Sequence, residues 1–206
     1  AEVSVERQRQ ALLKTAELNL AQNKVDAAIQ TLEKFLSQHP GAGAADLALL
    51  TLGELHLKQY SKAFPTNSVE GISSTNALLT NELSQALAQF DTLLNTFSNS
   101  PLAGKALLDK GWCLWSDRRI AESLSAFRAA EERLRPSEDQ AAARFKWADA
   151  QFELKDFNGA ITNYDSIIEA YKENAVVKER LFEPALYQIV RTGEAAGNLS
   201  AAAGAL

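Results

Sequence analysis

Two copies of one pattern, Ile120-x-x-Ser123-Leu124-x-x-Phe127 and Phe157-x-x-Ala160-Ile161-x-x-Tyr164, occur with corresponding residues 37 apart (120 to 157, 127 to 164). Small residues at set offsets from large ones, returning every roughly 34 to 40 residues, mark a stack of helix pairs. No other feature of the chain restricts its fold as strongly.

Taken in order, the chain supplies the pairs. Val5 to Ala21 carries a helical stripe of Leu12, Leu13, Ala16, Leu20 and Ala21, and Val25 to Ser37 carries Val25, Ala28, Ile29, Leu32, Phe35 and Leu36 until His39-Pro40-Gly41 stops it. With the first helix of each pair called A and the second B, the second A helix runs from about Ala44 to Tyr60. Its B helix, Asn76 to Phe97, comes only after the Ser-, Thr- and Asn-rich stretch 61–75 with Pro65 and Gly71, and has Ser73, Ser74 and Thr75 as candidate caps. The third unit pairs Ala103 to Ser116 with Ile120 to Leu134, and the fourth Ser137 to Leu154 with Phe157 to Tyr171. A fifth begins at Phe182, turns through Gly193 to Asn198 and stops at Leu206 inside its B helix. One domain is therefore expected over 1–206, with units of about 5–40, 44–98, 103–136, 137–172 and 182–206.

Alignment shows what repeats. Each A helix has a small residue at Ala16, Gly53, Gly111 or Ala148, with Val190 a poorer fifth, and each B helix has one at Ala28, Ala86, Ser123, Ala160 or Ala202. Within a unit the two lie 12 apart (16 to 28, 111 to 123, 148 to 160, 190 to 202), except in the second, where the extra loop makes it 33 (53 to 86). Small residues at both points let the helices cross closely, and large ones around the B-helix position, such as Phe90, Phe127 and Tyr164, fill the space.

These offsets resemble the tetratricopeptide repeat, with its small eighth residue, alanine at the twentieth, aromatic at the twenty-fourth and proline at the thirty-second, the last matched by Pro40. The resemblance covers nearly the whole chain. It implies an all-α fold, a right-handed αα-superhelix of about five helix pairs with the last incomplete. A narrower resemblance, carried by Leu49-Leu50-Thr51-Leu52-Gly53-Glu54-Leu55 and by Phe97 to Leu108, is to bacterial cell-envelope tetratricopeptide proteins, the Tol-Pal-associated and BamD-type families. It implies a periplasmic or cell-envelope binding scaffold; without it the expectation is cytoplasmic.

Composition narrows the chemistry. A net charge of -5 with interspersed signs gives no basic face for nucleic acid, and no apolar run reaches the roughly 18 residues of a membrane span. One cysteine excludes an internal disulfide, and the absence of methionine points to a trimmed or processed piece. His39 sits in a helix-ending turn and His56 faces a core; neither has neighbours at metal-ligand spacing, so no metal or cofactor is expected. Cys113 beside Gly111 and Trp112 reads as a buried thiol, not a nucleophile. No glycine-rich phosphate loop is present, since Gly41-Ala42-Gly43 lies between helices. An enzyme is not expected.

The resemblance places the A helices along a concave face, and their inward positions give a candidate groove: Glu54, Leu57, Leu108, Trp112, Trp115, Phe145, Asp149, Phe152, Tyr187 and Arg191. Trp and Tyr bury much area at small entropic cost, so the aromatics would anchor a peptide or partner domain while Glu54 and Asp149 orient its basic groups. The competing account is that the same aromatics pack between repeats. Two functions follow: a protein-binding scaffold, or a rigid spacer in a larger repeat protein with no groove ligand. The 61–75 loop reads either as a lid or contact, or as a connection without a role. Leu199, Ala202, Ala203 and Leu206 form half a helix face, which implies further repeats or docking and self-association at that end.

Overall fold

The structure, a computed structural model, describes residues 21–41, 43–63 and 72–197 together with positions 7, 11, 14–16, 18 and 19. Most of the first expected A helix and the whole of the fifth B helix, with its half-covered face, lie outside the described residues. Among the described residues all regular structure is helical. The chain divides into two compact units, Ala1–Ala106 and Leu107–Leu206.

In the first unit, α1 (Val25–Gln38), α2 (Ala45–Ala63) and α3 (Ile72–Thr96) follow in sequence. Ala28, Ile29 and Leu32 of α1 meet Ala48, Leu52 and Leu55 of α2 in one core cluster, which is the apolar stripe of each helix closed upon the other. The α2–α3 crossing depends on Gly53. A Cβ there would stand 2.5 Å from the Phe90 ring, which is itself fully buried. α2 runs past its expected end at Tyr60 to Ala63, and α3 starts at Ile72, ahead of the expected Asn76. The Ser61 hydroxyl donates to the Leu57 carbonyl at 2.9 Å and so is satisfied inside the helix, and Lys62 complements the negative helix end. Ser73, Ser74 and Thr75 lie within α3 instead of capping it. The break between the helices thus narrows from 61–75 to 64–71, residues outside those described.

The second unit holds the rest of α4 (Ala103–Ser116), then α5 (Ile120–Arg133), α6 (Glu138–Glu153), α7 (Phe157–Ala170) and α8 (Glu183–Ala195). Ser137 caps α6 by accepting from the Gln140 amide at 3.2 Å, and Asp156 caps α7 by accepting from the Gly159 amide at 3.1 Å. Before α8 the chain is helical earlier than expected: Ala175–Val177 leads into a π-helical stretch, Lys178–Phe182. Asn174 starts it by accepting from the Val177 amide at 3.1 Å. Pro184 lacks an amide hydrogen and its ring crowds the preceding turn, which accounts for the wider turn ahead of it.

One turn recurs in both units. Asn23, Arg118 and Lys155 have φ of 55°, 62° and 64°, and each stands two residues before the first residue of a B helix, Val25, Ile120 or Phe157. The next amide reaches back five residues in every case: Lys24 to Asn19 at 2.8 Å, Arg119 to Leu114 at 2.9 Å, Asp156 to Gln151 at 2.8 Å. This bond and the left-handed residue together cap the A helix and reverse the chain. Gly197 has a left-handed φ as well, 68°.

Candidate functional site

The expected groove residues do not share one environment. Glu54 and Leu57 are half-buried on α2 in the first unit, where Lys105 Nζ lies 3.9 Å from Glu54 Oε1. The other eight belong to the second unit. Of these, Leu108 corrects the expectation that it lines a groove: it is 2% exposed and packs with Phe127, Ala130 and Ala143. Ala143 leaves room that a large neighbour must fill, so this leucine turns into the core.

The remaining aromatics combine packing with partial exposure. Trp112 and Trp115 are half-buried against the Leu108 cluster; Phe145 and Phe152 are half-buried against Ala148, Tyr164 and Ile189. Trp112 meets Phe127 edge-on at 5.9 Å between centroids, and Phe145 meets Tyr164 at 5.2 Å. Both geometries suit the ring quadrupole, so Trp112 and Phe145 are each braced from behind by a buried ring. Tyr187 is 66% exposed on α8, one turn from Arg191, whose guanidinium lies over the Phe152 ring at 4.3 Å.

Asp149 differs most from its expected role. It does not await a basic group, because Oδ2 already accepts from Lys146 Nζ at 2.6 Å and Oδ1 from the Tyr164 hydroxyl at 2.6 Å. Lys146 in turn sits over three rings, 4.8 Å from the Trp112 centroid, 5.2 Å from Trp115 and 5.9 Å from Phe145. Sequence reasoning missed Lys146 and Tyr164. The spacing of Lys146 and Asp149, three apart on a helix, was the available signal. Burial, followed by the charge and hydrogen bond of Asp149, pushes the Tyr164 hydroxyl above its ordinary range, so it remains a proton donor.

Beside this cluster lies a cleft of about 170 Å³ bounded by Trp115, Asp149, Phe152, Glu153, Tyr164, Gln188 and Arg191. It draws on α4, α6, α7 and α8 and mixes rings with both signs of charge. A larger hollow of about 400 Å³ between α4 and α5 has Leu107, Leu114, Ala121 and Ala126 on its walls but no ring to anchor a ligand.

Two residues of reactive type, His56 and Cys113, are buried outside this cluster. His56, 3% exposed, shares a 2.7 Å hydrogen bond with Glu82 through Nδ1. Cys113 is buried, and burial, with the Asp109 charge second, pushes its thiol up to about 12. Among the described residues no group of three His, Cys, Asp or Glu side chains could hold a metal ion, and no helix is long and apolar enough to cross a membrane.

Family models described as tetratricopeptide repeat match residues 10–42, 76–139 and 142–174, which together span more than half of the chain. Among solved structures the chain is similar to MamA, with a TM-score of 0.66 at 15% identity over 92% of this chain and 89% of that one. It is also similar to a thermophilic TPR protein of Thermus thermophilus, TM-score 0.61 at 16% identity, covering 87% and 81%. A third is PilW, described as a widely conserved type IV pilus biogenesis factor, TM-score 0.55 at 20% identity, covering 100% and 76%. At such identities the likeness is one of fold. No curated protein matches the chain by sequence.

Proposed function

The chain belongs to the tetratricopeptide-repeat family, a family of protein-interaction scaffolds, and from that premise we propose that its second unit binds a segment of a partner protein along the A helices α4, α6 and α8. The observation that carries this is the cleft between Trp115, Phe152 and Arg191, where half-exposed rings adjoin Asp149 and Glu153. Rings supply area at little entropic cost, and the interspersed charges set direction and register for a peptide. Catalysis is not part of this reading: the thiol is held protonated, and His56 is bound to Glu82 inside the first unit. The resemblance of Leu49 to Leu55 and Phe97 to Leu108 to cell-envelope members supports a place in the bacterial envelope. Fractionation of the source cells tests that independently.

The direct test selects peptides from a random display library against the chain and measures each against Trp115→Ala, with circular dichroism confirming the fold of both. Loss of about tenfold or more in affinity, the effect of removing an interface hot spot, supports the groove. Peptides that bind both forms equally, or a library that yields none, would favour the rigid-spacer reading.

A further inference from the structure

Lys146 has an uncommon setting for a lysine. Its side chain is 20% exposed, with the ammonium among Trp112, Trp115 and Phe145 and against the Asp149 carboxylate. A lysine ammonium is strongly hydrated and normally reaches for water, so it stays here only because three ring faces and a carboxylate replace that water. A cation box has therefore been assembled from two helices, α4 and α6.

Three of the four walls of the box, Trp112, Phe145 and Asp149, have supports that do not involve Lys146. Trp112 is held from behind by Phe127, Phe145 by Tyr164, and Asp149 by the Tyr164 hydroxyl. Phe127 and Tyr164 are both fully buried, which fixes the orientation of what they brace. The occupant has no such brace: it is one side chain on a flexible four-carbon stem, held only by the box itself. Two walls, Trp115 and Asp149, also border the neighbouring 170 Å³ cleft, where Glu153 adds a second carboxylate.

We infer that this box is a receptor for a lysine-type alkylammonium group on the partner, and that Lys146 is a tethered stand-in which the partner's cation displaces. For its partner the inference rests on the groove reading above, but the box can be tested without any peptide. A stand-in that fills the site about nine-tenths of the time weakens an external ligand about tenfold, since apparent affinity scales with the fraction of open sites. It also gives selectivity, because only a cation recovers the interactions that Lys146 gives up.

The probe is n-butylammonium, with n-butanol as its uncharged counterpart, followed by the indole NMR signals of Trp112 and Trp115. Lys146→Met keeps the stem and removes the charge. It is expected to bind butylammonium about tenfold more tightly than the parent chain and to discriminate against butanol. Equal binding by the two proteins, or equal binding of the two probes, would overturn the inference. Should the variant fail to fold, the parent chain decides the matter through its carbon-labelled lysines. Butylammonium should move the Lys146 ε-methylene signal from a ring-shielded position to that of a free lysine, whereas a signal that stays in place overturns the inference. If peptides bind the groove while butylammonium leaves Lys146 in place, the box fails and the groove stands. If the box takes the cation and no peptide is found, the groove reading alone fails.

Discussion

Gly111 and Phe127 share one volume. A Cβ on the glycine would stand 2.5 Å from the phenylalanine ring, and that ring is fully buried with Trp112 edge-on to it. The first unit repeats the relation with Gly53 and Phe90, and Ala148 with Tyr164 is a looser version.

Gly111→Ala is therefore expected to destabilise the second unit by about 1–3 kcal/mol, because overpacking outweighs the roughly 1 kcal/mol that alanine gains as a helix former. Urea unfolding measures it. Adding Phe127→Leu should recover part of the loss, which a simple additive effect of two damaging changes would not do.

Lys155, in the left-handed region at φ 64°, carries a side chain where glycine would be unstrained. The left-handed penalty of about 1–2 kcal/mol exceeds the roughly 0.4–1 kcal/mol of chain entropy that a glycine adds to the unfolded state. Lys155→Gly should raise stability by up to about 1 kcal/mol, and Lys155→Val, β-branched at the same φ, should lower it. Thermal melting of the three proteins orders them.

Tyr164 and Asp149 make a 2.6 Å hydrogen bond with the tyrosine ring fully buried. Tyr164→Phe should cost about 1.5–3 kcal/mol, the range for a hydrogen bond to a charged group. A double-mutant cycle with Asp149→Ala is expected to show coupling, since each single change strands the other's polar atom. Strict additivity would mean that the bond contributes nothing.

Alkaline pH should weaken the fold. The Cys113 thiol is raised by burial and the Asp109 charge from 9.0 to about 12, and the Tyr164 hydroxyl is raised by burial and Asp149 from 10.0. Above pH 9.0 the unfolded chain releases the thiol proton, and above pH 10.0 the tyrosine proton, while the folded chain retains both. Stability present below pH 9 is therefore lost progressively as pH rises toward 12. Urea midpoints at about pH 8, 10 and 11 should fall in that order, and Cys113→Ala should fall less. A midpoint independent of pH would contradict the shifts.

The presence of helices α1 to α8 and the close approaches at Gly53, Gly111 and Ala148 are written in the residue pattern, whereas several helix ends are not. Small residues at Gly53, Gly111 and Ala148 could be matched with Phe90, Phe127 and Tyr164 because close packing demands that volume lost on one helix reappear on its partner. The turns at 22–24, 117–119 and 155–156 were legible too, although nothing in Asn23, Arg118 and Lys155 as residue types announces that all three adopt one left-handed geometry, and Gly193, read as the start of a turn, lies buried inside α8, which runs to Ala195. The site, by contrast, emerged only once the helices were packed. Helical periodicity records which side of a helix is buried, yet Leu108 and Trp112, one turn apart on α4, go respectively into the core and to its edge, according to what α5 and α6 present to them. Asp149 read as a free carboxylate on the same grounds, and Tyr164 from α7 together with Lys146 from its own helix consumed both its oxygens. Hydrogen bonds and ring contacts have ångström ranges and depend on several helices at once, whereas a one-dimensional pattern carries only the average burial of each face.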